Sequence, residues 1–434
     1  MAWPWPIFFA QPVSTHNRVR CLDMPFEYRS TAGRRLLFFG AVMKMLLRLW
    51  PVWLLGAGTA WICFWVNKQD LYIWSMVFAG LAIVCALPLY RIRQPWLVYA
   101  CICMTSLFAT LSVGELYLTR GASKSEYVPL SQHAQPPAPG VAECLSNIQP
   151  DPLLGYGPKP EQSRTSCMRA IGDVPVYDII VTTLDSGWRI TPQRGDKART
   201  AVLFLGCSYT FGDGLRDEQS YPYLVGEALG DAYQTFNFGM SGYGTHQMLA
   251  LIESGRLDDI FKRYEKVYVF YLTLDDHIRR CGGYAPWDTD GPRYILQDGV
   301  ATYTGSFAQS RSWLRRGLDK IFEHSNLYTA LTGLPFDTHR KELTDLYLAM
   351  LDKANKVLEQ KYHSNLVVIS WMENKSYTKE YSALGLQVVD PSPYFPDFAT
   401  NKDAYGIKND GHPNARAAAL LAQAVVDYLR RQPR

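Results

Sequence analysis

The run Ala201 to Gly214, AVLFLGCSYTFGDG, constrains this chain more than any other stretch. Its opening residues, Ala201-Val202-Leu203-Phe204-Leu205, offer no polar face, so a strand formed there must be covered on both sides. Such strands belong to parallel sheets sandwiched between helices. The run breaks at Gly206 into Cys207-Ser208-Tyr209-Thr210, followed by Gly212 and Gly214. Open α/β sheets hold ligands and chemistry at the carboxyl ends of their strands, which places Ser208 where a nucleophile belongs. A serine there equally suits a plain strand-to-helix turn, capping the helix that follows.

The rest of the second half repeats that rhythm. Strands are expected at Gln234–Phe238, Lys266–Leu272, Leu366–Trp371 and Leu386–Val389. Helices are expected at Glu218–Leu229, Thr245–Arg256, Thr338–Tyr362 and Pro413–Arg430, with Thr245 as a cap and Pro413 in the first helical position. Strands alternating with helices imply a mostly parallel, doubly wound sheet. Residues 282–336 interrupt the pattern and read as an insertion over the site, with a hairpin near Arg293–Tyr303 and a helix near Ser310–Phe322. Upstream, Val176–Val181 and Trp188–Thr191 flank the turn Asp185-Ser186-Gly187 and read as a hairpin packed on the sheet.

The first third has a different character. Leu49–Val66, Leu71–Tyr90 and Trp96–Leu118 are apolar segments without a central charge, each near the ~20 residues that cross a bilayer as a helix. Three such segments joined by short loops predict three transmembrane helices over residues 49–119, behind a segment 1–48. Arg29, Arg34, Arg35, Lys44 and Arg48 precede the first span, and Arg91 and Arg93 fill the second loop. Positive charge stays on the cytoplasmic side, so the N-terminus is expected there, in a bacterial cell under a multi-pass inner-membrane protein. Everything after Leu118 then reaches the periplasm or outer face. Residues 120–170, centred on Pro136-Pro137-Ala138-Pro139-Gly140, read as an extracytoplasmic linker to a domain over 171–434.

A net charge of +4 gives no case for nucleic acid as partner. No Cys/His spacing for a metal appears, and no cofactor is implied. Cys63, Cys85, Cys101 and Cys103 fall in the apolar segments as small fillers. Cys144, Cys167, Cys207 and Cys281 fall in the oxidising compartment, where Cys144 and Cys167 are either a disulfide pair or two free thiols; geometry decides.

Three short blocks tie these observations together: Gly206-Cys207-Ser208-Tyr209-Thr210-Phe211-Gly212, Asn237-Phe238-Gly239-Met240-Ser241-Gly242, and Asp410-Gly411-His412-Pro413-Asn414. In order, spacing and strand-end placement they resemble the blocks of the SGNH (GDSL-type) hydrolases, serine esterases and acyltransferases. The resemblance covers about the last 230 residues and implies a flavodoxin-like α/β/α sandwich. It makes Ser208 the nucleophile, His412 the base and Asp410 the carboxylate that orients it. The physical logic is independent: a serine hydroxyl needs a base in reach, and the base needs a carboxylate.

The resemblance also implies an oxyanion hole from the N–H groups of Ser208 and Gly242 and an asparagine after the third strand. That place holds Asp275, whose ionised carboxylate accepts hydrogen bonds and repels an oxyanion. Thr273, His277 and Arg279 are the alternative donors, and Asp275, Asp276 and His277 alternatively read as metal ligands. Tyr209, Phe211, Tyr243 and His277 are expected to line the substrate, or else to pack beneath the loops. Cys207 replaces the family's aspartate, and Ser208 holds the nucleophile position. The expected activity is hydrolysis or transfer of O-acyl groups on an acylated cell-envelope glycan or a lipid ester. A transferase would use the same triad with a membrane acyl-donor partner. The non-enzymatic alternative is a degenerate glycan-binding domain.

Overall fold

A computed structural model describes residues 73–90, 92–122, 148–160, 163–170, 174–285, 287–322, 325–333, 341–372 and 377–432. Two helices come first, α1 (Ile73–Ala86), closed by a 3-10 turn at Leu87–Tyr90, and α2 (Pro95–Ala122). Two antiparallel pairs follow: β1 (Ile148–Asp151) with β2 (Gly155–Pro158), and β3 (Ser163–Ala170) with β4 (Val174–Thr182). The chain then runs through β5 (Thr200–Gly206), α3 (Ser208–Phe211), α4 (Tyr221–Leu229), β6 (Tyr233–Gly239), α5 (Thr245–Glu253), α6 (Asp258–Arg263), β7 (Lys266–Thr273) and α7 (Asp276–Cys281). A hairpin of β8 (Pro292–Gln297) and β9 (Val300–Ser306) leads to α8 (Phe307–Ser310), α9 (Trp313–Ile321) and α10 (Asn326–Gly333). The last elements are α11 (Lys341–Tyr362), β10 (Leu366–Ser370), α12 (Thr378–Ala383), β11 (Gln387–Val389) and α13 (Ala415–Arg430).

The central sheet is parallel, in the order β11-β10-β7-β5-β6. Its strands are apolar at both parities, and the two parities meet different helices. Leu203, Leu205, Val269, Tyr271 and Val368 pack with α5 and α11 on one face. Val202, Phe204, Phe270, Leu272 and Ile369 pack with α4 and α13 on the other. Each such side chain contributes about 1.5–3 kcal/mol by leaving water, which fixes β5 in the centre of the sandwich. Successive strands move outward from β5 in both directions, so the carboxyl end of β5 is the topological switch point, where a crevice opens.

Several expectations shift by local physics. Val174–Thr182 pairs along its length with Ser163–Ala170, and the expected hairpin closes only at its turn, where Leu184 N–H donates to Trp188 O at 2.9 Å and Ile190 N–H to Thr182 O at 3.0 Å. Arg189 makes single bridges to Thr183 and Asn237. Thr245 does not cap α5; its hydroxyl meets Tyr271 Oη in the core at 3.0 Å, while Gln247 Oε1 accepts the Gly244 N–H at 2.8 Å. Nor does α13 start on Pro413: Asn414 Oδ1 accepts the Ala417 N–H at 3.1 Å, a standard N-cap bond. Within the expected linker, Ile148–Asp151 and Gly155–Pro158 form a strand pair, and Leu154 and Tyr156 join the core. Residues 123–147, with Cys144, lie outside the described part, as do the Cys167 side chain and the proposed disulfide.

Of the three expected membrane helices, Leu49–Val66 lies outside the described residues. Of the second, the described residues form a 14-residue α-helix followed by a 3-10 turn, an α-helix shorter than the ~20 residues of a typical span. Among the described residues one helix is long and apolar enough to cross, over Pro95–Leu118. The two helices are joined by reciprocal hydrogen bonds, Ser75 Oγ to Ser112 O at 3.1 Å and Ser112 Oγ to Ser75 O at 2.9 Å.

Candidate active site

Ser208 opens α3 directly after β5 and is buried. The turn that carries it is braced from three sides. Gly212 and Asp213 donate their backbone N–H groups to Ser208 O at 2.8 and 3.1 Å. Asn237, from the second block, donates Nδ2–H to Phe211 O at 3.3 Å and accepts the Gly239 N–H at 3.0 Å. Gly239 stands so close that a Cβ there would lie 2.4 Å from Phe211 N. The third brace is Arg189, whose side chain is fully buried. Its guanidinium donates to Phe211 O, Gly212 O and Leu215 O at 2.7, 2.6 and 2.5 Å and pairs with Asp217 at 3.0 Å.

His412 approaches from the turn before α13. Its Nδ1 lies 2.8 Å from Asp410 Oδ2. A carboxylate only accepts, so Nδ1 carries the proton and Nε2 is left as the basic nitrogen. The Asp410 carboxylate is buried, whereas the His412 ring is 26% exposed. Burial alone would push the imidazole pKa down; the Asp410 hydrogen bond and the charges of Asp213 and Asp410 outweigh it, so the pKa ends above its usual value. Nε2 lies 4.0 Å from Asp213 Oδ2, and the His412 ring sits edge-on to Tyr209 with centroids 5.6 Å apart. Tyr209 adjoins Ser208 and Asp213 is bonded to Ser208 O, so the base and the serine turn share one edge of the sheet.

Gly242 follows β6 with φ +82°, a left-handed conformation that favours glycine. Its surroundings also exclude a side chain: a Cβ would lie 2.5 Å from Trp287 Nε1 and 2.6 Å from Tyr156 Oη. Trp287 donates Nε1–H to Gly242 O at 3.2 Å, and Tyr156 donates its hydroxyl to Ser241 O at 2.9 Å. Both carbonyls of this turn are therefore held from outside, which sets the tilt of the Gly242 peptide.

The other expected residues divide. Tyr209 is half-buried at the rim and packs edge-on against Trp371. Phe211 and Tyr243 are buried: Phe211 lies under the Arg189 guanidinium, and the Tyr243 hydroxyl donates to Tyr156 O at 2.5 Å. His277 is fully buried, with Nδ1 2.8 Å from Tyr271 Oη, and burial holds it well below the usual imidazole range. These three side chains brace the core instead of lining an open cleft.

Asp275 begins α7 in helical backbone and is half-buried; ionised, it supplies no donor. The substitutes have partners too. Thr273 donates to Ile369 O at 3.2 Å, and Arg279 pairs with Asp276 at 2.6 Å. Burial opposes the Asp276 charge, but Arg280 and Arg279 bring its pKa down to about 2. No group of metal-holding side chains occurs among the described residues. Cys207 is fully buried and desolvation raises its pKa, which leaves it a poor nucleophile beside Ser208.

The sequence reading missed Arg189 and Asp213. Arg189 stood in a run that looked like a return strand, and Asp213 stood among glycines in the motif. The spacing Gly212-Asp213-Gly214 just past the serine was the available signal for the second.

No family model matches the chain, and no curated protein matches it in sequence. Solved structures do. A member of the lipolytic G-D-S-L family from Veillonella parvula DSM 2008 is 12% identical with a TM-score of 0.33, covering 54% of this chain and 100% of that one. A catalytic mutant of an acetylxylan esterase from Geobacillus stearothermophilus is 15% identical with a TM-score of 0.31, covering 54% and 96%. A two-domain esterase active on acetylated mannans is 16% identical with a TM-score of 0.31, covering 54% and 50%. What the site does rests on its own geometry.

Proposed function

We propose that the chain is a serine esterase of SGNH type. The observation that carries this is the 2.8 Å contact of His412 Nδ1 with Asp410, which leaves Nε2 as base on the same sheet edge as Ser208. Ser208 Oγ attacks the ester carbonyl while His412 takes its proton. The N–H groups of Ser208 and Gly242 stabilise the oxyanion. Collapse expels the alcohol, which takes the proton from His412, and leaves an acyl-serine. Water, deprotonated by His412, releases the acid; a sugar hydroxyl in its place would complete an acyl transfer. Asp213 and Asp410 favour the imidazolium formed in each half-reaction.

The proposed setting is a membrane anchor that includes Pro95–Leu118, with the catalytic domain outside the cytoplasm. The proposed substrate is an O-acyl group on an envelope glycan or lipid. The full chain should release nitrophenol from p-nitrophenyl acetate and react with a fluorophosphonate probe. Ser208→Ala and His412→Ala should each lower turnover by about 10⁴-fold or more. Turnover retained in Ser208→Ala, or a wild type inert to both reagents, would sink the assignment.

A further inference from the structure

Helices α9 and α10 expose large apolar side chains: Trp313 is 78%, Leu314 56% and Leu331 70% accessible. Their place in the fold gives this meaning. Glu115 of α2, fully buried, accepts hydrogen bonds from Ser325 Oγ at 2.8 Å and from the Leu327 N–H at 2.9 Å. It thereby holds the first turn of α10. Phe322, between α9 and α10, packs on Trp74 of α1 with ring centroids 4.9 Å apart. The α1–α2 connection is short, so the helices are antiparallel, and Trp74 and Glu115 mark the same end of the pair.

Glu115 lies three residues inside Leu118, where the apolar run Pro95–Leu118 ends. At 1.5 Å per residue that is about 4.5 Å from the boundary. The segment therefore sits at the level where a bilayer crossed by α2 gives way to headgroups. Its composition suits that level: RSWLRRGLDKI, residues 311–321, carries Arg311, Arg315, Arg316 and Lys320 against Asp319 alone. Exposed tryptophan and leucine in a segment of net positive charge are what an interfacial helix brings to lipid.

We infer that α9 and α10 rest on the membrane surface, with Trp313, Leu314 and Leu331 in the headgroup–acyl boundary and the net positive charge of residues 311–321 drawing the segment to anionic phospholipid. The inference rests on the anchoring role of α2 proposed above and is independent of the esterase chemistry. Helices α9 and α10 are thus a second membrane contact of the domain.

The test uses the full chain in nanodiscs of phosphatidylcholine and phosphatidylglycerol, carrying Trp313→Cys, Leu331→Cys, Ile102→Cys or Val300→Cys. A water-soluble maleimide is added and labelling at each position is followed by peptide mass spectrometry. Val300, in the β8–β9 hairpin, is the water-exposed reference, and Ile102 reports whether α2 lies in the bilayer. Labelling at 313 and 331 should be at least about ten-fold slower than at 300, because a lipid boundary excludes the reagent and the reactive thiolate. Fast labelling at 313 and 331 with protection at 102 overturns the surface contact and leaves the anchor standing. Fast labelling at all positions overturns both.

Discussion

The two turns that meet at the catalytic edge are built on opposite plans. Beyond its own Gly212 and Asp213 N–H bonds to Ser208 O, the Ser208 turn depends on groups that arrive from elsewhere in the chain: the Arg189 guanidinium, the Asn237 amide and the close-packed Gly239. The His412 turn holds itself. Ile407 N–H donates to His412 O at 2.7 Å, Asp410 and Gly411 N–H both donate to Ile407 O, and Asn414 Nδ2 reaches Ala404 O and Gly406 O. A turn braced at long range fails when a distant residue is lost. A turn braced locally tolerates such loss, and its weak point is the chemistry it presents.

The largest effect should therefore come from a change in the second turn that leaves the fold intact. Asp410→Asn keeps the size of the side chain but frees the imidazole to take the wrong tautomer; turnover should fall about 10⁴-fold with little change in unfolding midpoint. A parallel loss of stability would show that the His412 turn is not self-supporting. Next comes the first turn. Arg189→Met strips donors from Phe211 O, Gly212 O and Leu215 O and breaks a buried ion pair, costing about 3–5 kcal/mol by denaturant unfolding. An unchanged midpoint would remove the contrast altogether.

The smallest effect sharpens the comparison where the turns touch. Asp213 belongs to the serine turn, yet its charge raises the pKa of His412. The base works only when neutral, so activity should fall as pH drops through a value above the usual ~6.5 for histidine. Asp213→Asn removes one raising influence, and the acid limb of kcat/KM should move to lower pH. A limb that stays put would mean that Asp213 does not sense the imidazolium.

The same contrast explains what could be read from sequence. The central strands were legible because burial on both faces leaves an unbroken apolar run, as in Val202–Leu205. The Ser208 and His412 blocks were legible because each concentrates glycine and polar residues at a strand or helix end. Arg189 was not, because its value lies in four acceptors spread over Phe211 to Asp217, a pattern that exists only after folding. His277 and Tyr243 carried polar atoms that sequence alone could assign equally to substrate or core; their partners, Tyr271 and Tyr156, lie far enough away in chain or in face to leave no periodic trace. The Ile148–Pro158 strands were hidden beside a proline-rich stretch for the same reason: their core partners come from residues 240–260 and beyond.

The burial of two thiols, one of them next to Ser208, carries a practical consequence. Cys207 and Cys281 are both fully enclosed, and desolvation raises both pKa values, that of Cys281 to about 12. Neither can be alkylated at an appreciable rate while the surrounding packing is closed. The native chain thus holds its own stopwatch: the pace at which iodoacetamide finds Cys207 counts the moments when the floor beneath Ser208 comes apart, with no foreign label placed near the reaction centre.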